Sequence, residues 1–464
     1  MIGGSIAGLL AARVLADHFG RVTVVERDVL LDGAQQRRGV PQGRQLHVLL
    51  GRGRQIVERL FPGYSRDLEA AGAVALQLPA DLAMLSPAGW LDRRAPGWEG
   101  LSASRPLVEA TVRRRLRDVP GVALLECHDA TDLLASRDGR TVRGIAARRV
   151  DGAGEPLEID ADLVVDASGR GSRAPAWLTG LGYPAPVQMR VDPDSAYATR
   201  TFRIPAGFTA DWKAAMLTSR PPSMPRTGYL FPIEGDRWMV SVMGAAGQHP
   251  PTDEAGYADF IRSLRHPLIA EAVAGAEAVT PIRGHHGTVN RRWEYQTMSR
   301  WPERFLVLGD AVCAFNPIYG QGMSCSAIAA ETLDACLRQR RRHDAANLDK
   351  VAFRFQRRIA RRNADPWLLS TGEDLRFPTT TGMTVGRALR LQHRYLDRVV
   401  ACATTDPGVA DAYVRVLGML DRPTALFAPH VLATVARNGR TPRRTAHASE
   451  DGDSRGTAPP PRPE

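Results

Sequence analysis

The chain begins with Met1-Ile2-Gly3-Gly4-Ser5-Ile6-Ala7-Gly8, continues as an apolar helical pattern, and then reads Val22-Thr23-Val24-Val25-Glu26. A glycine turn, a helix and a β-branched strand ending in an acid follow in the order of a dinucleotide-binding β-α-β unit. We expect Gly3 to make the tight turn and Gly8 to let the helix pack closely. The helix N-terminus then faces a pyrophosphate, and Glu26 accepts hydrogen bonds from a ribose.

Two features of this stretch depart from the common pattern. Ser5 occupies the position of the second fingerprint glycine, which is a mild change because serine is also small. Only Met1 and Ile2 precede Gly3, whereas a strand usually has about five or six residues. We therefore expect a few apolar residues to belong upstream. A signal peptide is disfavoured because residues 1–16 lack a basic start and Arg13 interrupts the apolar run.

Length and composition indicate a globular protein. At 464 residues, two or three domains are expected from a prior of about 150 residues per domain. No stretch is long and apolar enough to span a bilayer, so no integral membrane segment is predicted. The formal net charge is +11, but Lys213 and Lys350 are the only lysines and the arginines are spread along the chain. Solvated helix faces explain them better than a nucleic-acid surface, so no nucleic-acid partner is predicted.

The cysteines and histidines indicate neither disulfides nor a metal. The 5 cysteines are odd in number and show no paired spacing, and His285 and His286 are adjacent, which is poor geometry for one metal ion. We expect a metal-free, cytoplasmic protein.

A loop rich in glycine and proline follows the first unit, and from Arg44 the pattern is helical. Arg44 is either a phosphate ligand or a solvated helix cap, and spacing alone does not separate the two. His47 lies either near a cofactor or in the core, and the core is favoured.

The remaining chain alternates strands, turns and helices. Residues 73–94 predict short strands, and Ser104 predicts the N-cap of a helix. A buried run ends in Asp166-Ala167-Ser168-Gly169, a second candidate for nucleotide contact. Further predictions are a sheet within residues 187–290, a strand ending at Gly309-Asp310, a helix over 324–342, helical segments over 348–363 and 383–437, and a disordered tail over 440–464.

These motifs together resemble the single-chain FAD-dependent monooxygenases of the aromatic-hydroxylase type. The resemblance rests on the N-terminal glycine turn with Glu26, on Asp166-Ala167-Ser168-Gly169, and on Gly309-Asp310 followed by Pro317-x-x-Gly320-x-Gly322. The chain is most similar to the olefin epoxidases of polyether pathways, such as those of monensin and lasalocid. The strings that carry this similarity are Gly39-Val40-Pro41-Gln42, Asp166 through Arg173, Ala196-Tyr197-Ala198-Thr199-Arg200, Pro232-Ile233-Glu234-Gly235, Asn316-Pro317-Ile318-Tyr319-Gly320 and Asp365-Pro366-Trp367.

The resemblance implies an α/β fold: a Rossmann-like FAD-binding domain with an inserted β-sheet substrate domain and a C-terminal helical segment. The helical segment either covers the active site or makes a subunit contact. The expected divisions are FAD-binding parts at residues 1–72, 101–186 and 291–370, substrate-domain parts at 73–100 and 187–290, a helical region at 371–439, and the tail at 440–464.

The resemblance also assigns cofactor-binding roles. No catalytic side chain is predicted, because the flavin itself carries the chemistry. A helix start beside the reduced flavin stabilises its negative charge by up to about 2 kcal/mol. The implied contacts are Gly3, Ser5 and Gly8 with the pyrophosphate, Glu26 with the adenosine ribose, Arg44 and Arg105 with the phosphates and ribityl chain, Asp310 with a ribityl or phosphate-side hydroxyl, and Pro317, Gly320, Gly322 and Met323 with the isoalloxazine ring.

The implied activity is insertion of one oxygen atom from O2 through a flavin C4a-hydroperoxide, with epoxidation of an olefin in an apolar polyketide or prenylated natural-product intermediate. Alternatives are aromatic hydroxylation, reduction of prenyl double bonds, and a non-redox cyclase that contains FAD. Ser168-Gly169 replaces the Asp-Gly of aromatic hydroxylases. NADPH or NADH therefore supplies electrons either directly or through a flavin reductase. The flavin halogenase signature of paired tryptophans and a lysine is absent.

Overall fold

The computed structural model of the protein describes residues 1–343, 348 and 350–438. Helices and strands alternate through the first part of the chain, and within these ranges the named elements from residue 322 onward are helices. The helices are α1 (Ile6–Ala16), α2 (Gly51–Leu60), α3 (Tyr64–Ala70), α4 (Arg105–Arg117), α5 (Ala174–Gly180), α6 (Glu254–Arg262), α7 (Leu268–Val273), α8 (Gly322–His343), α9 (Val351–Arg362), α10 (Ala364–Asp374), α11 (Arg387–Cys402), α12 (Pro407–Leu417) and α13 (Pro429–Asn438).

The strands form one parallel sheet and several antiparallel or mixed ones. They are β1 (Val22–Val25), β2 (Val74–Leu78), β3 (Leu82–Ser86), β4 (Gly89–Trp90), β5 (Trp98–Ser102), β6 (Val122–Leu125), β7 (His128–Ala135), β8 (Val142–Arg149), β9 (Leu157–Asp160), β10 (Val164–Asp166), β11 (Gln188–Val191), β12 (Ala196–Arg203), β13 (Ala214–Leu217), β14 (Arg226–Ile233), β15 (Arg237–Gly244), β16 (Arg283–His285), β17 (Asn290–Trp293), β18 (Phe305–Val307) and β19 (Cys313–Ala314).

A parallel sheet contains the glycine turn. β1 pairs with β6, β10 pairs with β18, and Ile2 joins the two pairs through parallel bridges to Val25 and Asp166. The resulting order is β6, β1, Ile2, β10, β18, and α1 and α8 pack against each other beside it. Buried aliphatic residues of the sheet and of both helices share one core. This is the predicted α/β arrangement, with strands brought from five separate parts of the chain.

A slot lies beside Met1, between β1 and β10. It has a volume of about 210 Å3 and is lined by apolar residues such as Leu15, Val22 and Val164 together with the charged Arg21 and Asp160. The terminal amine is buried there and donates to the carbonyl oxygen of Thr23 at 2.9 Å, and burial lowers its pKa to about 5. Among the described residues, Ile2 alone bridges the two strand pairs, and the slot lies beside it. The expectation of upstream apolar residues stays a prediction.

An extension of five valine-rich residues ahead of Met1 is therefore expected to raise the Tm of the protein. The added strand fills the slot and replaces the buried amine with a peptide group that can join the parallel ladder. Differential scanning calorimetry measures the change, and an extension of equal length made of glycine and serine is the matched control. Equal Tm values for the two extended proteins would contradict the prediction.

A seven-stranded mixed sheet has the order β16-β12-β15-β14-β13-β3-β4. Its strand β3 comes from the early segment and pairs in parallel with β13, whereas the neighbouring pairs through β14, β15, β12 and β16 are antiparallel. Directly opposed residues share one face of a sheet. One face, which includes Leu230 and Val240, packs on helices α6 and α7. We call the opposite face the inner face; its residues are Leu82, Met84, Tyr197, Thr199, Thr201, Arg203, Ala214, Met216, Thr227, Tyr229, Phe231, Ile233, Arg237, Met239, Ser241, Met243, Arg283 and His285.

The C-terminal helices cover one end of the inner face. Val399 of α11 and Leu426, which follows α12, share a buried apolar cluster with Met84 and Phe231. The helices therefore cover part of the sheet; whether they cover the active site or make a subunit contact stays a prediction. The domain divisions remain predictions, and the tail predicted over 440–464 lies outside the described residues.

The helix predicted from Arg44 is wrong. Residues Pro41–Arg44 form a single 3₁₀ turn, and the chain is extended at Gln45 before α2 begins at Gly51. Tertiary hydrogen bonds hold this extended segment: the Gln45 side chain donates to the carbonyl oxygen of Arg283, and the Leu50 amide donates to the hydroxyl of Ser324. The apolar spacing therefore reflects packing of a loop, and the pattern of period 3.6 was accidental.

Two other local features bear on the predictions. Ser104 is the N-cap of α4, and its hydroxyl accepts from the Leu107 amide at 3.3 Å, as predicted. Helix α8 begins at Gly322, two residues before the predicted start at Ser324. Within the described ranges, no helix is long and apolar enough to cross a membrane.

Candidate functional site

The glycine turn is closed so tightly that side chains are excluded from it. Gly3 has φ of +95°, and a Cβ there would lie 2.6 Å from the carbonyl oxygen of Ala167. A Cβ on Gly8 would lie 1.8 Å from the carbonyl oxygen of Gly3. The tight turn and the close approach predicted for these two glycines are both present. Because Ala167 follows β10, the turn also rests on the second segment that was predicted to contact a nucleotide.

Ser5 is the N-cap residue of α1, but its side chain makes no capping hydrogen bond. Its hydroxyl instead donates to Oε2 of Glu109 at 2.9 Å and accepts from the Arg105 guanidinium at 2.8 Å. The first-turn amides of α1 therefore have no cap from this serine. A helix N-terminus of this kind favours an anion because its amides and the helix dipole both attract negative charge.

Glu26 lies under the turn, at the end of β1, and is buried. One carboxylate oxygen accepts from the amide of Gly4 at 2.6 Å, and the other accepts from the amide of Asp28 at 2.9 Å. Each carboxylate oxygen can accept more than one hydrogen bond. Glu26 therefore supports the turn while it keeps acceptor capacity for ribose hydroxyls, the role predicted for it.

A buried ion cluster stands in front of α1. Glu109 of α4 accepts from Arg37 at 2.5 Å and from Arg105 at 3.1 Å, and all three side chains are buried. Burial opposes ionisation of Glu109, but the adjacent Arg105 and Arg37 guanidiniums outweigh it and lower the pKa of Glu109. Arg105 Nε is buried without a hydrogen-bond partner, which leaves a donor for a cofactor oxygen.

Sequence reasoning missed two members of this cluster, Arg37 and Glu109. The available signal was the spacing of Glu109, four residues after Arg105 and four before Arg113 on one face of a helix. Arg37 had no such signal, because it reaches Glu109 across 72 residues of sequence.

The structure places Arg44 apart from this cluster. Arg44 ends the 3₁₀ turn and is exposed, so the predicted phosphate contact stays a prediction. His47, for which the core was favoured, lies close enough to Arg105 to feel its charge. Burial and that positive charge lower the pKa of His47 to about 4, so its imidazole is neutral at neutral pH.

The other end of the site is the start of α8. Asp310 lies on the 3₁₀ turn Gly309–Ala311, and a Cβ on Gly309 would lie 2.8 Å from the Cβ of Ala7 in α1. A Cβ on Gly322, the first residue of α8, would lie 3.9 Å from Oδ1 of Asp310. The starts of α1 and α8 are thus joined through the turn that carries Asp310.

The loop ahead of α8 contains the remaining predicted residues. Pro317 begins a 3₁₀ turn, Gly320 follows it with φ of +65°, and Met323 is buried in the first turn of α8. Oε1 of Gln321 is buried without a partner. A cofactor N–H at this loop would supply the missing donor.

These features fit FAD. The uncapped helix start suits its pyrophosphate, and Glu26 suits its ribose. Arg105, beside Ser5, and Gln321, directly before α8, each have a buried polar atom without a partner that could bond to the cofactor. The individual binding roles predicted for Gly3, Ser5, Gly8, Glu26, Arg44, Arg105, Asp310, Pro317, Gly320, Gly322 and Met323 stay predictions. Across residues 1–343, 348 and 350–438, no group of three or more His, Cys, Asp or Glu side chains is arranged to hold a metal ion.

The parallel sheet, the glycine turn and the inserted seven-stranded sheet define the fold of FAD-binding, Rossmann-like flavoenzymes. Three solved structures share it at low sequence identity. A flavoprotein/dehydrogenase from Cytophaga hutchinsonii has a TM-score of 0.67 and 17% identity, with 94% of this chain and 98% of that chain covered. The flavin-dependent brominase Bmp2 has a TM-score of 0.63 and 15% identity, with 94% and 98% covered. PqsL of Pseudomonas aeruginosa, described as a probable FAD-dependent monooxygenase, has a TM-score of 0.56 and 18% identity, with 89% and 97% covered.

The chain belongs to the family of Protein Rv3254 from Mycobacterium tuberculosis. The two are 34% identical over 433 residues, which make up 91% of this chain and 89% of that protein. No protein-family model matches the chain.

Gly8→Ala is expected to destabilise the FAD-free protein by about 1–3 kcal/mol, because the added methyl group overlaps the Gly3 carbonyl and the turn must shift. The same change is expected to abolish FAD binding. Chemical denaturation and quenching of FAD fluorescence measure the two effects. Gly180→Ala is the matched control, since nothing lies within 4 Å of a Cβ at this helical glycine. Wild-type FAD affinity in Gly8→Ala would contradict the importance of the close approach.

Glu109→Gln is expected to lower the free energy of unfolding by about 3–5 kcal/mol, because Arg37 and Arg105 remain buried without their shared anion. Urea denaturation of the FAD-free protein measures this loss. Glu69→Gln, at an exposed position on α3, is the control and is expected to be nearly neutral. Similar effects of the two substitutions would show that the buried cluster does not stabilise the fold.

Proposed function

We propose that the protein is an FAD-dependent monooxygenase that transfers one oxygen atom from O2 to a carbon–carbon double bond of an apolar polyketide or prenylated compound. The observation that carries the proposal is the chemistry of the inner face of the seven-stranded sheet, next to the loop before α8. The proposal is also supported by the flavoenzyme fold and by the epoxidase-like strings in the sequence.

The inner face is lined by soft, apolar side chains. Met84, Met216, Met239 and Met243 lie on it together with Phe231. Methionine is flexible and polarisable, so it adapts to irregular apolar ligands.

The buried hydroxyl groups in the middle of this face are uncharged, whereas Arg203 and Arg237 lie at the ends of their strands and the exposed Arg283 lies on the edge strand β16. Thr199 donates to Ser241 at 2.8 Å, and both side chains are buried. A long hydrocarbon substrate suits this lining better than an ionised one, because a charged substrate would be buried without a partner.

Two contacts bring the inner face to the cofactor loops. Tyr319, in the loop before α8, is near enough to Tyr229 of the inner face for Tyr229 to contribute to the raised pKa of Tyr319, after the larger effects of burial and of Asp374 and Glu373. On the opposite side, Gln45 bonds to the carbonyl oxygen of Arg283 in β16. A substrate on the inner face would therefore lie beside the residues assigned to the isoalloxazine ring.

When bound, FAD supplies the electrons and the activation of O2. The chain positions the ring with the loop 316–322, favours negative charge at the start of α8, and excludes water with the C-terminal helices that cover the inner face. No side-chain nucleophile or general base is needed for oxygen transfer to an electron-rich double bond. NADPH or NADH delivers the electrons, either directly or through a separate flavin reductase.

Oxygen transfer is tested with protein reconstituted with FAD and supplied with isotopically heavy O2 and a panel of polyene and prenylated olefins. Electrons come from NADPH alone or from NADH with a flavin reductase. Mass spectrometry is expected to show products that gain one labelled oxygen atom. Gly180→Ala should retain this activity, and Gly8→Ala should lose it together with FAD.

Other product masses would contradict the proposal and identify the alternative. A gain of two hydrogens without oxygen would indicate a double-bond reductase. An isomer of unchanged mass, formed with oxidised FAD and no reductant, would indicate a non-redox cyclase. Labelled phenols formed only from aromatic substrates would indicate a ring hydroxylase.

A further inference from the structure

A buried polar cluster lies behind the loop that precedes α8. Asp374, at the end of α10, is 3% exposed, and its carboxylate accepts three hydrogen bonds. The donors are the side-chain amide of Asn290 at 2.5 Å, the side-chain amide of Asn316 at 3.0 Å and the Tyr319 hydroxyl at 2.8 Å. Ser370, one turn earlier on α10, donates to the amide oxygen of Asn290 at 2.6 Å.

The three donors to Asp374 are all neutral. In the described part of the chain, no Arg, Lys or His nitrogen forms an ion pair with Asp374; Arg376 pairs instead with Glu373 at 2.9 Å and with Asp397 at 2.8 Å. The titratable groups that act on Asp374 are Tyr319 from the loop and Glu373 from its own helix. Burial raises the pKa of Asp374 to about 7, although its three hydrogen bonds favour the carboxylate.

Asp374 contacts both ends of the 3₁₀ turn Pro317–Tyr319. Asn316 precedes that turn, its amide oxygen accepts from the Ile318 amide at 3.3 Å, and its own backbone amide donates to Asn290 at 2.8 Å. Tyr319 ends the turn, and Gly320 follows it in the left-handed conformation. Two residues later α8 begins. One carboxylate therefore holds a short segment at both ends, immediately before the helix start assigned to the flavin.

We propose that Asp374 is a positioning residue that sets the loop 316–322, and with it the start of α8, against the flavin, and that ionisation of its buried carboxyl group switches this loop from an ordered to a loosened form. The inference rests on the proposed FAD site and goes beyond it, since Asp374 is not among the residues assigned to the cofactor. The switch follows from burial of the carboxyl group. The Tyr319 hydroxyl can donate to the carboxylate or accept from the acid, so both states can keep three hydrogen bonds. The carboxylate, whose donors are all neutral, gains from solvation, which the loosened loop supplies.

The raised pKa defines the sign of the pH effect. At pH below about 7 Asp374 is a neutral acid and the loop is held at both ends; above that pH the group ionises, and the carboxylate favours the loosened, solvated loop. The stability of the whole protein changes in the same direction. A raised carboxyl pKa contributes stability that is present below the unfolded value of 3.8 and is lost as the pH rises through about 7. Local order of the loop and global stability therefore both decrease as the pH rises.

Hydrogen exchange of the segment 316–323, corrected for the intrinsic pH dependence, tests the switch in both the FAD-free and the FAD-bound protein. We expect wild-type exchange, after this correction, to accelerate at least tenfold from pH 6 to pH 8. Asp374→Asn is expected to exchange fast at both values, because its amide group faces other donors. Tyr319→Phe removes one donor and is expected to give a smaller, still pH-dependent increase. Asp365→Asn, at a partly exposed ion pair at the other end of α10, should behave as wild type.

The position of the flavin is tested by its reduction potential in reconstituted protein. Loosening of the α8 start is expected to weaken binding of reduced FAD more than that of oxidised FAD. A tenfold difference lowers the two-electron potential by about 30 mV. We expect this shift in Asp374→Asn relative to wild type at pH 6, and a smaller shift at pH 8, where the wild-type loop is itself loosened. If Asp374 had only a structural role, Asp374→Asn would lower the stability of the protein but would leave the pH dependence of hydrogen exchange and of the reduction potential unchanged.

The failure of this inference is distinct from the failure of the proposed function. If the wild-type segment 316–323 exchanges at one rate from pH 6 to pH 8, or if Asp374→Asn keeps the wild-type profile, the switch is wrong even when FAD binds. If FAD does not bind, the proposed function fails, but exchange in the FAD-free protein still decides whether Asp374 holds the loop.

Discussion

The contact on which the structure depends is the one between the backbones of Gly3 and Gly8. A Cβ on Gly8 would lie 1.8 Å from the Gly3 carbonyl oxygen. The turn and α1 can therefore approach this closely only because position 8 has no side chain. The Ala167 carbonyl closes the same turn from below, and Glu26 holds it through the Gly4 amide. Everything in front of α1 is arranged around the helix start that this contact exposes. Ser5 turns away from it to join Arg105 and Glu109.

Local signals in the sequence predicted the parts of the molecule that local chemistry determines. The glycine turn, the Ser104 cap and the strand that leads to Asp166 follow from residues within a few positions of one another. Arg44 was misplaced because the spacing of Leu46, Leu49 and Leu50 imitates a helix, whereas hydrogen bonds to Arg283 and Ser324 hold the segment extended. Partners 238 and 274 residues away leave no trace in a local pattern.

The candidate site shows the same division. Gly3, Gly8 and Glu26 belong to a motif and were predicted, whereas Arg37 and Glu109 acquire their importance from tertiary proximity. A buried carboxylate between two arginines reads in the sequence as an ordinary charged helix position. Asp374 is a further case, because it lies outside every string quoted for the resemblance, and its partners come from two separate segments, Asn290 in one and Asn316 and Tyr319 in the other. Burying a polar group costs free energy unless the group forms hydrogen bonds, so a buried polar group indicates that partners are present. Those partners are seen only in the folded structure.

The parallel sheet has a consequence for biosynthesis. In the order β6, β1, Ile2, β10, β18, strands that lie far apart in the chain are neighbours in the sheet. The last of them, β18, ends at residue 307 of 464. A chain emerging from the ribosome therefore carries the glycine turn and α1 long before their last sheet neighbour exists, and α8, on which α1 packs, comes later still. Until then the apolar face of α1 has no complete core to cover it, and such surfaces bind one another or chaperones. The glycine turn and α1 are therefore made well before the sheet and the core that they join are complete.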